Sequence, residues 1–158
     1  MTKVGFEEKT DMHNLTRYIP TGARIVLGLA FLVFGLNGFF GFLPMPEQPG
    51  AGGAFLGALA ATGYMFPLIK GTEVLVGVLL LSNRFVPLAL TLLAPVTVNI
   101  VAFHAFLDAP ASLGLPLVLL ALQLGLAWSY RDHFRRVLSA KAEPTAAEPT
   151  RQSHPATA

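Results

Sequence analysis

Residues 66–82 read FPLIKGTEVLVGVLLLS, and Lys70 and Glu73 stand inside this apolar run. An ammonium and a carboxylate three residues apart share one helix face, about 60° apart, and can pair directly. Such a pair can grip a polar headgroup, exchange a proton or hold two helices in register. The uncharged polar residues Asn37, Asn99, His104 and Gln123 lie in other apolar stretches. The chain has no cysteine, which excludes disulfides, thiol redox relays, iron–sulfur clusters and thiolate metal sites. Only one histidine falls within a candidate span, so a bis-histidine haem has too few ligands. No cofactor of the protein's own is expected.

The composition says what must position these groups. Of 158 residues, 53% are hydrophobic and 13% charged, and the mean hydropathy is +0.58. A soluble domain carries roughly a quarter charged residues, so most of this surface is expected to face lipid. Spanning helices need about 17–25 apolar residues. Residues 25–43, 85–107 and 113–130 meet that length without a charge, and Trp128 and Tyr130 mark a helix end where aromatic belts form. Residues 64–81 form the fourth candidate, with Pro67 acceptable in a first turn. A rival span over 53–69 would leave only Val74 to Leu81 before Ser82, too short to cross.

The basic residues orient the spans. Lys3, Lys9, Arg17 and Arg24 precede the first span, Arg84 lies in the second connection, and Arg131, Arg135, Arg136, Lys141 and Arg151 follow the last. Ten of the eleven fall on one side of a four-span chain, and Lys70 is the exception. The positive-inside rule makes that side cytoplasmic, with both termini inside. The expected fold is therefore all-α: a polytopic membrane protein with an antiparallel four-transmembrane-helix bundle. Residues 1–20 form a cytoplasmic N-terminal segment and 21–130 the transmembrane domain. The apolar run is too long, and Glu7, Glu8 and Asp11 too close before it, for a signal peptide. The first outer loop, rich in Pro and Gly, turns helix-like from Ala54 to Thr62 and should lie in the interface. Residues 131–141 read as a basic juxtamembrane helix on anionic lipid, and 142–158, with its repeated AEPT, as a disordered tail. The basic charge is thereby assigned to the lipid bilayer rather than to nucleic acid.

At about 1.5 Å per residue, Lys70 lies roughly 9 Å and Glu73 roughly 13 Å from the outer end of span two. Asn37, Asn99, His104 and Gln123 fall at comparable depths from the outer ends of their own spans. Charges this deep cost from about 2.5 to over 10 kcal/mol unless they face protein or water. Asn37, Lys70, Glu73, Asn99 and His104 are therefore expected to line one polar cavity in the outer half of the bundle. Asn99 and His104, about 140° apart on their helix, converge only if Pro95 bends it. Each residue also has a plainer role: Lys70 can snorkel to headgroups with Glu73 as counter-ion, the asparagines can join helices, His104 can pack, and Gln123 fits a structural role best. Gly28, Gly35 and Gly38 form a small-residue stripe suited to close packing.

Three stretches carry a family likeness: Arg24 to Phe39 with its FGLNGF ending, GYMFPLIKGTEVLVGVLLL, and RFVPLALTLLAPVTVNIVAFH. Over about residues 17–136 the chain resembles the DoxX family of small bacterial four-helix membrane proteins. The shared features are an arginine opening span one, a Gly-rich stretch with Asn37, Glu73 followed by Gly77, and His104 in span three. Many relatives carry a lysine near the end of span one, which FGLNGFFGF lacks, so no role for it transfers. The resemblance implies the bacterial cytoplasmic (inner) membrane and association with membrane redox systems. The expected function is an accessory or binding subunit for a quinone or other small amphiphile, with a redox enzyme or a second copy of the chain as partner. A quinone-linked oxidoreductase with Glu73 as proton acceptor, a small proton-coupled transporter and a purely structural subunit are the alternatives. Enzymatic activity is not expected of the chain alone.

Overall fold

The computed structural model describes residues 4–44 and 47–137, and side chains among them from Tyr18 to Arg135. Six α-helices and one 3-10 turn follow in order: α1 Val4–Phe40, α2 Gly50–Ala61, α3 Met65–Leu81, α4 Val86–Phe106, the 3-10 turn Pro110–Leu113, α5 Gly114–Ser129 and α6 Arg131–Val137. No strand occurs among the described residues, as the composition and the long apolar runs require. Segments Tyr18–Phe40, Val86–Phe106 and Pro110–Ser129 are each long and apolar enough to cross a membrane. A fourth candidate joins α2 and α3 across a 92° bend. The chain is a multi-pass membrane protein.

Helix ends follow local chemistry rather than hydropathy, and the first expected span differs most. Its apolar run reaches Leu43, yet α1 stops at Phe40 because Gly41 takes a left-handed φ of 60° and donates its N–H to Asn37 O at 2.8 Å. At its other end α1 continues back to Val4 through Pro20, so the expected N-terminal segment and the span are one helix. Hydropathy marks where a chain can meet oil, not where its backbone hydrogen bonds begin. Helices α3, α4 and α5 fall within about a residue of the expected spans. The helix foreseen over 54–62 starts earlier, at Gly50, and α6 covers the described part of the expected 131–141 helix. Residues 138–158, including the expected tail, lie outside the described residues.

Helices α1, α3, α4 and α5 pack as a closed ring, each touching the next and α5 returning to α1. The pairing of α1 with α3 is the tightest. A methyl group added at Gly35 would stand 2.8 Å from Val74 N, and one at Gly77 would stand 2.7 Å from Leu32 N. The two backbones thus meet where neither helix has a side chain, as small-residue membrane packing allows. The register runs antiparallel, from Gly38 against Lys70 to Gly28 against Leu80 and Leu81. Below Leu32 and Gly77 the centre of the ring is filled by Leu27, Phe31, Val76, Leu80, Val86, Ala89, Leu90, Leu93, Leu119 and Leu126. Large apolar side chains such as Phe40, Phe106 and Trp128 point outward instead, the arrangement of a surface bathed in hydrocarbon.

Candidate functional site

Glu73 lies on the inward face of α3 and is 3% exposed. Lys70, one turn earlier, reaches it with Nζ at 2.9 Å from Oε2 and 3.2 Å from Oε1. Both carboxylate oxygens are therefore taken by one ammonium, a two-point contact that offsets part of the desolvation of each ion. The Lys70 methylenes lie across Gly38, where any Cβ would overlap them. The Glu73 Cβ would stand 3.0 Å from a methyl on Gly35. The expected small-residue stripe of α1 is thus the floor on which the ion pair rests. The Lys70 side chain keeps 18% exposure, and its Nζ stands 5.7 Å from the Phe66 ring centroid. That geometry leaves an open cation edge beside an aromatic face.

Asn37 is buried near this pair, but its amide is committed elsewhere. Its Oδ1 accepts from Leu43 N at 2.6 Å and its Nδ2 donates to Leu43 O at 3.3 Å. It ties down the chain leaving α1, where free helix carbonyls and loop amides need partners.

His104 and Asn99 do not join them. His104 Nδ1 lies 2.8 Å from Ile100 O, one turn back on α4, and Nε2 lies 3.8 Å from Asp108 Oδ2. Its ring meets Phe103 edge-on at 5.3 Å, and Phe103 in turn packs on Phe55 of α2. His104 therefore belongs to a cluster formed by α2 and the end of α4. Beside it a cavity of about 480 Å³ is lined by Glu47, Gln48, Pro49, Leu107, Asp108, Ala109 and Ser112. Hydrogen bonds from Ser112 and from the Ala109 N–H hold the Asp108 carboxyl below the usual carboxylate range. Asn99 points away from the bundle and is exposed. The expected convergence through a bend at Pro95 does not occur: α4 runs unbroken from Val86 to Phe106, so Asn99 keeps its outward azimuth.

Two interior polar residues complete the picture. Gln123, expected to be structural, is buried and donates from Nε2 to Leu90 O at 3.1 Å. Thr97, not singled out from the sequence, is 1% exposed. Thr97 Oγ1 and Gln123 Oε1 are both buried without a hydrogen-bond partner. The signal for Thr97 was its position in the row Val86, Leu90, Leu93, Thr97, which is the buried face of α4. Asn99, two residues on, is rotated about 200° from that row. Arg24 also has a specific role, since its Nη1 donates to the carbonyls of Leu80 and Leu81, capping the end of α3.

Comparisons with protein-family models, with curated proteins and with solved structures gave no match. The functional reading therefore rests on the residues and their arrangement.

Proposed function

We propose that the chain is a DoxX-like protein of the bacterial inner membrane, with four spans and both termini cytoplasmic, that binds a quinone-like or other small amphiphilic ligand at the outer half of the α1–α3 pair. The carrying observation is the Lys70–Glu73 pair with its open ammonium edge beside Phe66. A ligand carbonyl can accept a hydrogen bond from Lys70 while its flat ring covers Phe66 and its tail lies along the apolar wall. Glu73, held against Gly35, fixes the lysine in place. The protein acts as an accessory subunit of a membrane redox system, handing the ligand to a partner enzyme, and supplies binding rather than catalysis.

A second reading has its own support. The contacts of Lys70 with Gly38 and of Glu73 with Gly35 equally suit a purely structural clamp that sets the register of α1 on α3. One experiment separates the two. The protein is purified in mild detergent, its bound small molecules are identified by mass spectrometry, and Lys70→Met and Glu73→Gln are compared with the parent. Ligand binding predicts co-purified quinone in the parent and at least about tenfold less in Lys70→Met, with the fold retained. Absence of any bound amphiphile, with both variants merely less stable, would leave the clamp. Proton-coupled uptake into liposomes that vanishes in Glu73→Gln would instead identify a transporter.

A further inference from the structure

The outward face of α4 carries a polar group that the rest of the chain leaves without a partner. Asn99 is exposed, and among the described residues its amide makes no hydrogen bond. It lies seven residues from Phe106, the end of the helix, roughly 10 Å in, and its short side chain cannot reach a headgroup from there. A primary amide at that depth needs two donors and an acceptor satisfied, and hydrocarbon supplies none. One turn before it stands Pro95, also outward, which has no N–H and so leaves the Thr91 carbonyl without its helical donor. The Thr91 hydroxyl is already used on Pro87 O at 2.9 Å. Around Asn99 the face is apolar: Leu92, Pro95 and Phe106 are exposed within about 40° of its azimuth, and Ala102 lies about 60° away.

We infer that this face docks against the same face of a second copy of the chain, forming a parallel two-fold dimer with Asn99 paired to Asn99 across the axis. An amide is its own complement, because each copy offers a donor and an acceptor and two reciprocal bonds satisfy both. Two copies inserted in the same orientation place Asn99 at equal depth without further adjustment, a match that another partner would have to evolve. Pro95 and Ala102, four residues before and three after Asn99 on this face, keep the surface low beside the amide, so that two short stems can meet. The contact is isologous and closes, so it ends at a dimer.

The absence of native cysteine makes the test direct. Single-cysteine variants of the full chain, Leu92→Cys, two turns before Asn99 on the same face, and Leu124→Cys on the exposed face of α5, are oxidised in native membranes. The expected result is a disulfide-linked dimer from Leu92→Cys and none from Leu124→Cys. Adding Asn99→Leu to Leu92→Cys should weaken association roughly 5- to 30-fold, the span measured for interhelical hydrogen bonds in model peptides, while Asn99→Gln should retain most of it. Thermal melting of the detergent-solubilised monomer shows whether Asn99→Leu still folds, and the Leu92→Cys result stands apart from that variant. No dimer from Leu92→Cys, equal dimer from Leu124→Cys, or adducts only with a different protein would each overturn the inference.

Discussion

Buried polar atoms carry very different energetic weights in this chain. Glu73 has both oxygens engaged by Lys70, and Asn37 has both ends of its amide on Leu43. Thr97 Oγ1 and Gln123 Oε1 have nothing. A buried polar atom without a partner costs about 1–3 kcal/mol. Thr97→Val, which exchanges the hydroxyl for a methyl of similar size, should therefore raise stability by about 1 kcal/mol, read as a higher unfolding midpoint in detergent. Gln123→Leu removes one orphan and also one good bond to Leu90 O, so its effect should be smaller than that of Thr97→Val. A midpoint that falls in Thr97→Val would mean that its hydroxyl is engaged after all, for instance by an ordered water. The charged pair was readable from spacing alone, because residues three apart on a helix must meet. The destinations of the asparagines were not, since an amide can cap, glue or face outward from any apolar run. Only the azimuth relative to the buried row of α4 separates Thr97 from Asn99.

Elements were legible to the extent that hydropathy controls them. Three of the four expected spans coincide closely with α3, α4 and α5, because Ser82 and Asn83 follow α3, Asp108 and Pro110 follow α4, and the charged Arg131 follows α5. Asn83 and Phe85, with φ of 55° and 53°, make the reversal into α4 a tight one. For α1 the apolar run and the helix part company at Gly41. What hydropathy could not supply is which helices lean on which. That depends on Gly35 and Gly77, where backbone meets backbone. Gly77→Leu should separate α1 from α3 at a cost of at least about 1–3 kcal/mol, the range for overpacked cores. Gly57→Leu is the control, because a side chain there meets open space. Equal unfolding midpoints for the two variants would show that the α1–α3 approach is looser than described.

At the scale of the whole molecule the shortest candidate crossing is α3, whose 17 residues extend roughly 25 Å against a hydrocarbon layer of about 30 Å. It nevertheless accompanies α1 from Gly38 to Arg24, roughly 21 Å of the apolar segment Tyr18–Phe40. A fourth full crossing rather than a re-entrant loop is expected on that register. Membrane-impermeant thiol labelling of Gln48→Cys and Ser82→Cys checks it: the two should react from opposite sides, and labelling from one side alone would reduce the count to three. The same register bears on biogenesis. Synthesis runs from the N-terminus, so the glycine surface of α1 is complete before Lys70 and Glu73 leave the ribosome. The charges can be covered as soon as they enter the bilayer, by a helix already waiting there. Exchanging the order of these two segments in the gene would leave every native contact available, yet would send an unshielded ion pair into the membrane first.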